Sequence, residues 1–561
     1  MSDFDFEFRG LEIHSARMFD TTQMYSALDF MTRYGLNALI FHRNTLLDDL
    51  IFPEKYYSMQ KMWDRFAPRY SWTLNMRYYI NNVISECHKR GIQFFAEVKE
   101  INFDEWITED HPQVRNPETG KVCPMNPFWW EYLEAKMDEV LENVPDIDGI
   151  IVSPGTLESK LSISANKCGC QACKNSDDAE WNANLLRIMH RKLKEKGKRL
   201  AVRDFCFSAQ DQTTILEGAN RAGGEIVIAL KNTPHDYYPT FPTNPAIGHS
   251  GHEEWIEFDT WGQFVGNGVF PVSIVEDMIE RMRQVHSLGA KGIWLRTDWE
   301  NMLDHCTMNT MNMVNLIGGA MLARDIHTTA EEIYAEWLRY GVVSPLRPAS
   351  YDQKGVPVTD EDSGKRLIRF MKASWNVMQK TVFLQDHLFQ DNSMFPYSME
   401  RCFAIMLKIH SMDEWKPGSS QRVQPTEENI ERILREKQEA IDESRALRDI
   451  LSPQTLQLPQ ELRDDLEDMV DLYTYYTRSF KLSARACYAC WRYEQTLDEA
   501  DRATVMAVLD DIAAFVPVLR ERATKRSYTH EVPRLIDYRR FLYLDRNIRE
   551  HIARAEGGVK P

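Results

Sequence analysis

Charged and histidine side chains recur along the first 320 residues, close to the ends of short apolar runs. The runs span 10–17, 38–44, 93–100, 148–156, 199–208, 225–232, 254–262 and 292–300. Near their ends are His14, Arg17, His42, Arg43, Glu97, Lys99, Glu100, Arg203, Asp204, Lys231, Asn232, Glu257, Asp259, Arg296, Asp298 and Glu300. Glycoside hydrolysis requires several carboxylates in one place, because one is held protonated as the acid while another stays ionised. We therefore take Glu257, Asp259, Asp298 and Glu300, together with His14, as candidate catalytic residues; for any one of them the alternative is plain ion pairing at a strand end.

The cations near these carboxylates predict the charge of a ligand. Arginine grips a carboxylate or sulfate through two parallel hydrogen bonds, so a cluster of such groups favours an anionic sugar. Trp261 offers a stacking platform for a sugar ring, although a tryptophan is more often a core residue. The candidate substrate-binding residues are Arg17, Arg43, Glu97, Lys99, Arg115, Arg203, Asp204, Lys231, Asn232, Arg296 and Trp261.

The elements that must position these residues alternate regularly between strand and helix. Helix-period stretches at 21–34, 77–90, 126–144, 178–196, 210–221, 273–288 and 308–323 separate the apolar runs. Eight apolar runs in alternation with helical stretches predict an α/β fold, a (β/α)8 TIM barrel over residues 1–340. In that fold the carboxyl ends of the strands meet at one mouth, so the polar residues would share a single site.

Beyond about residue 340 the two-residue period of strands disappears. The stretches 362–411, 425–451, 459–494, 498–525 and 531–555 have helical periodicity, which predicts an all-α C-terminal domain over 350–561. The tyrosine-rich segment 471–492 is expected to be helix core; a dimer interface is the alternative.

Composition limits the function classes. The chain has 561 residues and a net charge of −17, which argues against a nucleic-acid binder, since such proteins neutralise phosphates with clustered Lys and Arg. No apolar run approaches the roughly 18 residues of a membrane span. The acidic N-terminus lacks the apolar stretch of a secretory signal, so we expect a cytoplasmic protein.

Four cysteines have a spacing typical of metal ligands. Cys168, Cys170 and Cys173 form a C-x-C-x-x-C segment after the fourth predicted strand, and Cys123 lies in the preceding strand-to-helix connection. Four thiolates suit a closed, tetrahedral structural Zn²⁺. Free thiols and a redox-formed disulfide are the alternatives, and catalysis itself requires no cofactor.

Segments around the sixth to eighth strands resemble the α-glucuronidases of glycoside hydrolase family 67. The similar segments are Lys231-Asn-Thr-Pro-His-Asp-Tyr-Tyr-Pro, Trp255-Ile-Glu-Phe-Asp, Gly262-Gln-Phe-Val-Gly and the helix that ends in Ala-Glu-Trp337. The resemblance implies a barrel with a helical C-terminal domain that removes a terminal uronic acid, with Glu158 as the general acid. The sequence departs from the family's pattern at Ser153, where the family has a substrate-binding lysine, and at Thr240, where it has a carboxylate-binding arginine.

Two other functions stay open at this stage. An inverting exo-sialidase on a (β/α)8 barrel would use a His with acidic support and Arg clamps, for which His14, Arg17, His111, Arg115 and Arg203 are candidates. The second alternative is a barrel that binds carbohydrate, or acts as a scaffold, without catalysis. The expected partners are an oligo- or polysaccharide and a second copy of the chain in a homodimer.

Overall fold

The computed structural model describes residues 4–57, 59–155, 158–206, 208–300, 305–347, 355–524 and 528–557. Eight parallel strands close into a barrel in sequence order, so the predicted (β/α)8 fold is confirmed. The strands are β1 (Phe8–Ile13), β2 (Ala38–His42), β3 (Gln93–Lys99), β4 (Gly149–Ser153), β5 (Arg199–Arg203), β6 (Ile226–Lys231), β7 (Glu253–Asp259) and β8 (Gly292–Arg296).

Helices connect the strands and continue to the end of the described chain. Those of the barrel half are α1 (Thr21–Tyr34), α2 (Leu46–Asp49), α3 (Met59–His88), α4 (Trp106–Asp110), α5 (Phe128–Asn143), α6 (Gln171–Lys174), α7 (Asp178–Lys194), α8 (Ala209–Ala222), α9 (Val275–Ser287), α10 (Met313–Arg324) and α11 (Ala330–Tyr340). Those of the C-terminal half are α12 (Glu361–Val382), α13 (Met399–Ala404), α14 (Glu427–Leu451), α15 (Gln460–Thr496), α16 (Glu499–Thr524), α17 (Glu531–Leu535) and α18 (Arg539–Glu556). The chain after Tyr340 is therefore predominantly helical, as predicted, while the predicted division of the chain between 340 and 350 stays a prediction.

The amino end of the barrel interior is filled by apolar side chains. Every second residue of a strand faces inward, and Phe8 and Trp255 stack there with ring centroids 3.6 Å apart. Glycine makes room for these rings, because a Cβ at Gly292 would lie 2.5 Å from the Trp255 ring. This apolar plug leaves the carboxyl end of the barrel as the place for polar side chains.

The C-terminal half differs from the sequence prediction most clearly after α12. A helical stretch is expected over 362–411, but α12 ends at Val382 and a short antiparallel hairpin follows, β9 (Phe383–Leu384) and β10 (His387–Leu388). Gln385 and Asp386 turn the chain with φ values of 47° and 74°, a left-handed conformation that no helix accepts. The following segment returns to the barrel mouth, where Ser393 Oγ accepts a 2.8 Å hydrogen bond from the Gly266 amide.

The tyrosine-rich segment lies in α15, the longest described helix. Tyr473, Tyr476 and Tyr488 are fully buried within the chain, as expected of helix core. Among the described helices, none combines the length and apolar character needed to cross a membrane.

Candidate active site

A layer of charged side chains occupies the barrel interior directly above the apolar plug. Strand register brings opposite charges side by side, since Glu12 aligns with Arg296, His42 with Glu97 and Lys231 with Glu257. Neighbours in register point to the same face of a sheet, here the barrel interior. The three glutamates of this layer are completely buried. We call Glu12, Glu97 and Glu257 the buried carboxylates.

Arg203 organises this layer. Its Nε and Nη2 lie 2.7 and 2.8 Å from the two carboxylate oxygens of Glu257, and its Nη1 lies 3.1 Å from Glu97 Oε1. Tyr237 OH donates a further hydrogen bond to Glu257. Burial by itself would raise the pKa of Glu257, but the Arg203 guanidinium and these hydrogen bonds lower it to about 2. Glu257 is therefore ionised and held in place.

The other two buried carboxylates are shifted the opposite way. Burial raises the pKa of Glu97 to about 7, against the opposing charge of Arg203. Burial, and then the negative charges of Glu257 and Glu97, raise the pKa of Glu12 well above its ordinary range. Trp294 Nε1 donates to Glu12 Oε2 over 2.9 Å, which satisfies one of its oxygens.

Two stacked histidines connect the layer to the space above it. The rings of His14 and His42 lie 3.6 Å apart, and His42 Nδ1 is 2.9 Å from Glu12 Oε1. Burial, and then the charge of Arg296, lower the pKa of His14 well below its ordinary value, so the ring is neutral. Arg296 Nη2 donates to His14 Nδ1 over 3.0 Å, which leaves the proton of the neutral ring on Nε2. That nitrogen lies 3.3 Å from Glu300 Oε2.

A cavity of about 330 Å³ opens above the layer, at the carboxyl ends of the strands. Its wall contains four cationic residues, Arg203, Lys231, Arg296 and Arg401, and three acidic ones, Glu158, Asp236 and Glu300. Aromatic side chains line it as well, among them Trp299 and Phe205; Lys231 Nζ lies 3.8 Å from the centre of the Phe205 ring. The cavity thus joins cations, carboxylates and aromatic surface.

Glu158 and Glu300 are the accessible carboxylates of the strand-four and strand-eight loops, and we call them the rim pair. Their side chains are 46% and 40% exposed, whereas the buried carboxylates are closed off. Lys99 Nζ lies 3.2 Å from Glu158 Oε2 and 3.5 Å from Ser153 Oγ. Strand β3 therefore brings an ammonium group to Ser153, the position at which the similar family has its lysine.

The environment of Glu300 differs from that of Glu158. Partial burial raises the pKa of Glu300, the charge of Arg296 opposes the shift, and the negative charge of Glu158 adds to it. A carboxyl group with a raised pKa stays protonated to higher pH and can donate a proton.

Two of the acids proposed from sequence have structural partners instead. Asp259 accepts hydrogen bonds from the amides of Trp261, Gly262 and Gln263 at 2.9–3.1 Å and so fixes the turn after β7. Asp298 accepts from the His14 amide at 2.7 Å and from Ser15 Oγ at 2.5 Å, which ties β8 to β1. Both lie at the mouth, as expected, but their oxygens bind backbone N–H groups and, for Asp298, the Ser15 hydroxyl, and neither residue lines the cavity.

Several proposed binding residues lie outside the cavity wall. Arg43 Nε pairs with Asp49 at 2.6 Å, Arg115 donates to Thr108 Oγ1 at 2.6 Å, and Asp204 accepts from Cys206 Sγ at 2.6 Å. The others in this group are Arg17, Glu97 and Lys99, which are buried, Trp261, which is fully buried, and Asn232, whose backbone N–H donates to the Glu257 carbonyl. His111 packs between Tyr56 and Phe128, so the set proposed for a sialidase is not brought together.

Sequence reasoning missed the cavity residues that come from the C-terminal half. Asn392, Arg401 and His410 line the cavity. A further contact joins the barrel half to the C-terminal half, with His235 Nε2 3.1 Å from Glu414 Oε2. No local pattern marks these residues, because they reach the mouth only through the chain reversal after the hairpin. Asp236, which lines the cavity, and Tyr237, which donates to Glu257, lie in a segment that resembles the α-glucuronidases, but they are not among the residues predicted for the site.

The described residues contain two groups with the side chains of a metal site: Glu12, His14 and His42, and the four cysteines 123, 168, 170 and 173. In the first group Arg296 already donates to His14 Nδ1, and burial, followed by nearby positive charges that include Arg203, lowers the pKa of both histidines. A further cation is repelled there. The cysteines have no such conflict.

No protein-family model matches the sequence, and no curated protein does. Among solved structures the chain is similar to a GH138 enzyme targeting pectin rhamnogalacturonan II. The TM-score is 0.63 at 12% identity, over 99% of this chain and 85% of that one. The chain shares the fold of a glycoside hydrolase. That likeness extends over the barrel and the helical half together.

Weaker likenesses were found to two other hydrolases. CpGH84B gives a TM-score of 0.41 at 11% identity, over 98% of this chain and 77% of that one. A mutant form of the O-GlcNAc hydrolase of Thermobaculum terrenum gives 0.37 at 12% identity, over 99% and 97%. Scores this low carry no argument about this chain, and membership of family 67 stays a prediction.

Proposed function

We propose that the protein is a glycoside hydrolase that removes a terminal, negatively charged sugar of the uronic-acid type from a glycan. The observation that carries the proposal is the composition of the cavity wall, where the rim pair Glu158 and Glu300 faces the cations Arg203, Lys231, Arg296 and Arg401. Two accessible carboxylates supply acid and base or nucleophile, and the cations supply charge for an anionic ligand.

The charges beside the two carboxylates favour different roles. Glu300 has its pKa raised by burial and serves as the proton donor to the glycosidic oxygen. Glu158 is paired with the Lys99 ammonium at 3.2 Å and acts at the anomeric carbon either directly or through water. The resemblance to the α-glucuronidases implies the reverse, with Glu158 as the acid, so the roles need a kinetic test.

Arg296 is the best placed group for the acidic substituent of the sugar. Of the cations in the wall, Arg203 is paired with Glu257, Lys231 with Asp236 and Arg401 with Asp391. Arg296 donates its hydrogen bonds to neutral groups, Gln263 Oε1 at 2.5 Å and the neutral His14 ring, and its ion pair with Glu12 is longer, with 3.7 Å between Nε and Oε1. Its charge is therefore less neutralised by direct contact.

The size of the cavity favours cleavage at a chain end. Its volume of about 330 Å³ is at the lower end of the roughly 300–1,000 Å³ found for ligand pockets. The apolar plug closes it from below and the C-terminal half covers part of it from above, so a long glycan cannot pass through. One or two sugar units fit, which is typical of an exo-acting enzyme.

The direct test compares matched acidic and neutral sugars. Oligosaccharides ending in glucuronic or galacturonic acid, and the same chains ending in glucose or galactose, are incubated with the protein and analysed by mass spectrometry. We expect release of the acidic monosaccharide, little or none of the neutral one, and no release by Glu158→Gln. Arg296→Gln should raise KM on the acidic chain only.

Two outcomes would overturn the proposal in different ways. Saturable binding of acidic sugars with no turnover by the intact protein would identify a non-catalytic carbohydrate-binding barrel. Release of a sialic acid but not of uronic acids would instead favour the sialidase alternative.

A further inference from the structure

Four cysteine sulfurs meet at the rim of the barrel, outside the cavity and outside the proposed chemistry. Cys123 lies in the connection after β3, and Cys168, Cys170 and Cys173 lie in the connection after β4. Cys123 Sγ is 3.7 Å from both Cys170 Sγ and Cys173 Sγ, and Cys168 Sγ is 3.5 Å from Cys173 Sγ. All four sulfurs lie within 4.8 Å of one another. We call these four residues the cysteine cluster.

The spacing of the sulfurs fits a metal ion at their centre. Zinc–sulfur bonds are about 2.3 Å long, so the sulfurs of a tetrahedral site lie about 3.8 Å apart. A disulfide would instead bring one pair to about 2 Å and leave the other two without a role. All four cysteines are free in the structure. We propose that the cysteine cluster binds one Zn²⁺ in a closed, structural site.

The backbone around the cluster has the form that such a site requires. Gly169, with a φ of +88°, turns the chain between Cys168 and Cys170, where other residues would be strained. The Cys173 amide lies 3.4 Å from Cys170 Sγ, and Asn116 Nδ2 lies 3.6 Å from Cys168 Sγ. N–H groups that donate to sulfur stabilise thiolate charge and orient the ligands.

The four thiolate ligands determine which metal ion the cysteine cluster prefers. Four thiolates are soft ligands that favour zinc and iron over the oxygen-seeking Mg²⁺ and Ca²⁺. Four protein ligands also leave no open position for substrate or water, which distinguishes a structural site from a catalytic one. Cys168 and Cys173 are buried, in keeping with a closed site.

The site would fix the two connections to each other. Asn116 Nδ2 and Thr119 Oγ1, on the first connection, donate to the Cys168 carbonyl at 3.3 and 3.1 Å. Near the barrel the same two connections are joined again, because Glu100 accepts hydrogen bonds from the Gly155 amide and from Ser159 Oγ. Glu158 lies between Gly155 and Ser159, on the same connection as Cys168. Zinc would therefore hold the connection that carries Glu158 through Cys168, Cys170 and Cys173, without touching the substrate.

The experiment measures metal content and stability independently of activity. Protein purified under reducing conditions without added metal is analysed by inductively coupled plasma mass spectrometry, and about one zinc per chain is expected. Cys170→Ser and Cys123→Ser should each lose the zinc and lower the Tm. Cys490→Ala, which changes a buried cysteine of α15, should keep it.

A second measurement covers the case in which the serine variants do not fold. Wild-type protein is stripped with a chelator, checked by circular dichroism, and refilled with Co²⁺, whose absorption reports tetrahedral thiolate ligands. The Tm should fall on stripping and recover on adding Zn²⁺. Folded, metal-free wild type with an unchanged Tm would overturn the proposal, as would iron in place of zinc or a disulfide between two of the four cysteines.

Discussion

The buried carboxylates and the rim pair lie only one layer apart at the barrel mouth, yet their surroundings are opposite. Glu12, Glu97 and Glu257 are fully buried, and Arg203 alone contacts two of them within 3.1 Å. Glu158 and Glu300 are 46% and 40% exposed, and within the described part of the chain their ion-pair partners are Lys99 and His14, respectively. The buried carboxylates are paired with neighbouring cations and so maintain the fold. The rim pair faces the cavity and remains available to a ligand.

This difference matters because buried ions are costly unless they are paired. Removing one partner of a buried pair leaves an uncompensated charge, whereas removing an exposed charge changes stability little. The two sets therefore predict opposite phenotypes for similar substitutions: loss of stability in the layer below and loss of activity at the rim.

The largest effect should come from Glu158→Gln. We expect turnover to fall by about 10⁴-fold, near the upper end for acid–base groups, with little change in Tm because the side chain is half-exposed. Steady-state kinetics and thermal denaturation of the same preparation measure both. Glu105→Gln is the control, since Glu105 pairs with Lys160 at 3.4 Å and does not line the cavity. Full activity of Glu158→Gln would remove the rim pair from the mechanism.

Arg203→Ala should mainly destabilise the fold. It leaves the ionised Glu257 buried without its partner, and breaking such a pair costs about 3–5 kcal/mol. Urea denaturation monitored by fluorescence gives the change in the free energy of unfolding. Arg43→Ala removes a half-exposed arginine that pairs with Asp49 and should cost less than about 1 kcal/mol. A stable Arg203→Ala protein with weakened sugar binding would instead place Arg203 among the substrate contacts.

Glu300→Gln should have an effect that depends on the leaving group. With a natural sugar leaving group we expect turnover to fall by about 10²-fold, but only slightly with an aryl glycoside whose phenol needs no protonation. Because burial raises the pKa of Glu300, wild-type kcat/KM should fall on the alkaline side as this group ionises, and the variant should lack that limb. An equal loss on both substrates would assign the acid to Glu158.

Glu97→Gln should change the pH dependence of stability. Glu97 has a folded pKa of about 7, above that of the unfolded chain, so folding binds a proton between about pH 4.5 and 7. Wild-type stability should therefore decrease as pH rises through this window, by about 3 kcal/mol, and the variant should lack this decrease. Glu257, with a pKa of about 2, acts in the opposite direction, and the stability from its ion pair is lost only as pH falls from about 4.5 toward 2. Denaturation midpoints at pH 5, 6, 7 and 8 for both proteins test the difference; parallel curves would contradict it.

The sequence predicted much of the barrel because each element carries its own periodicity. The predicted strand 38–44 is observed as Ala38–His42 and the predicted helix 21–34 as Thr21–Tyr34. Alternation of buried and polar residues is local, and closure of eight parallel strands then follows from the number of strand–helix units. The helical stretch predicted over 362–411 is interrupted between Val382 and Met399, because the left-handed turn at Gln385 and Asp386 gives no signal in apolar periodicity.

For the site, the sequence determined which charged residues reach the barrel mouth, since strand ends are fixed by local pattern. The tertiary structure decided which of them face a ligand. Asp259 and Asp298 bind backbone amides, Glu257 binds Arg203, and only Glu158 and Glu300 of the proposed acids line the cavity. It also added Arg401 and His410, which are distant in sequence. Local pattern fixes a side chain's place along its strand, whereas its partner depends on contacts between segments that no local pattern encodes.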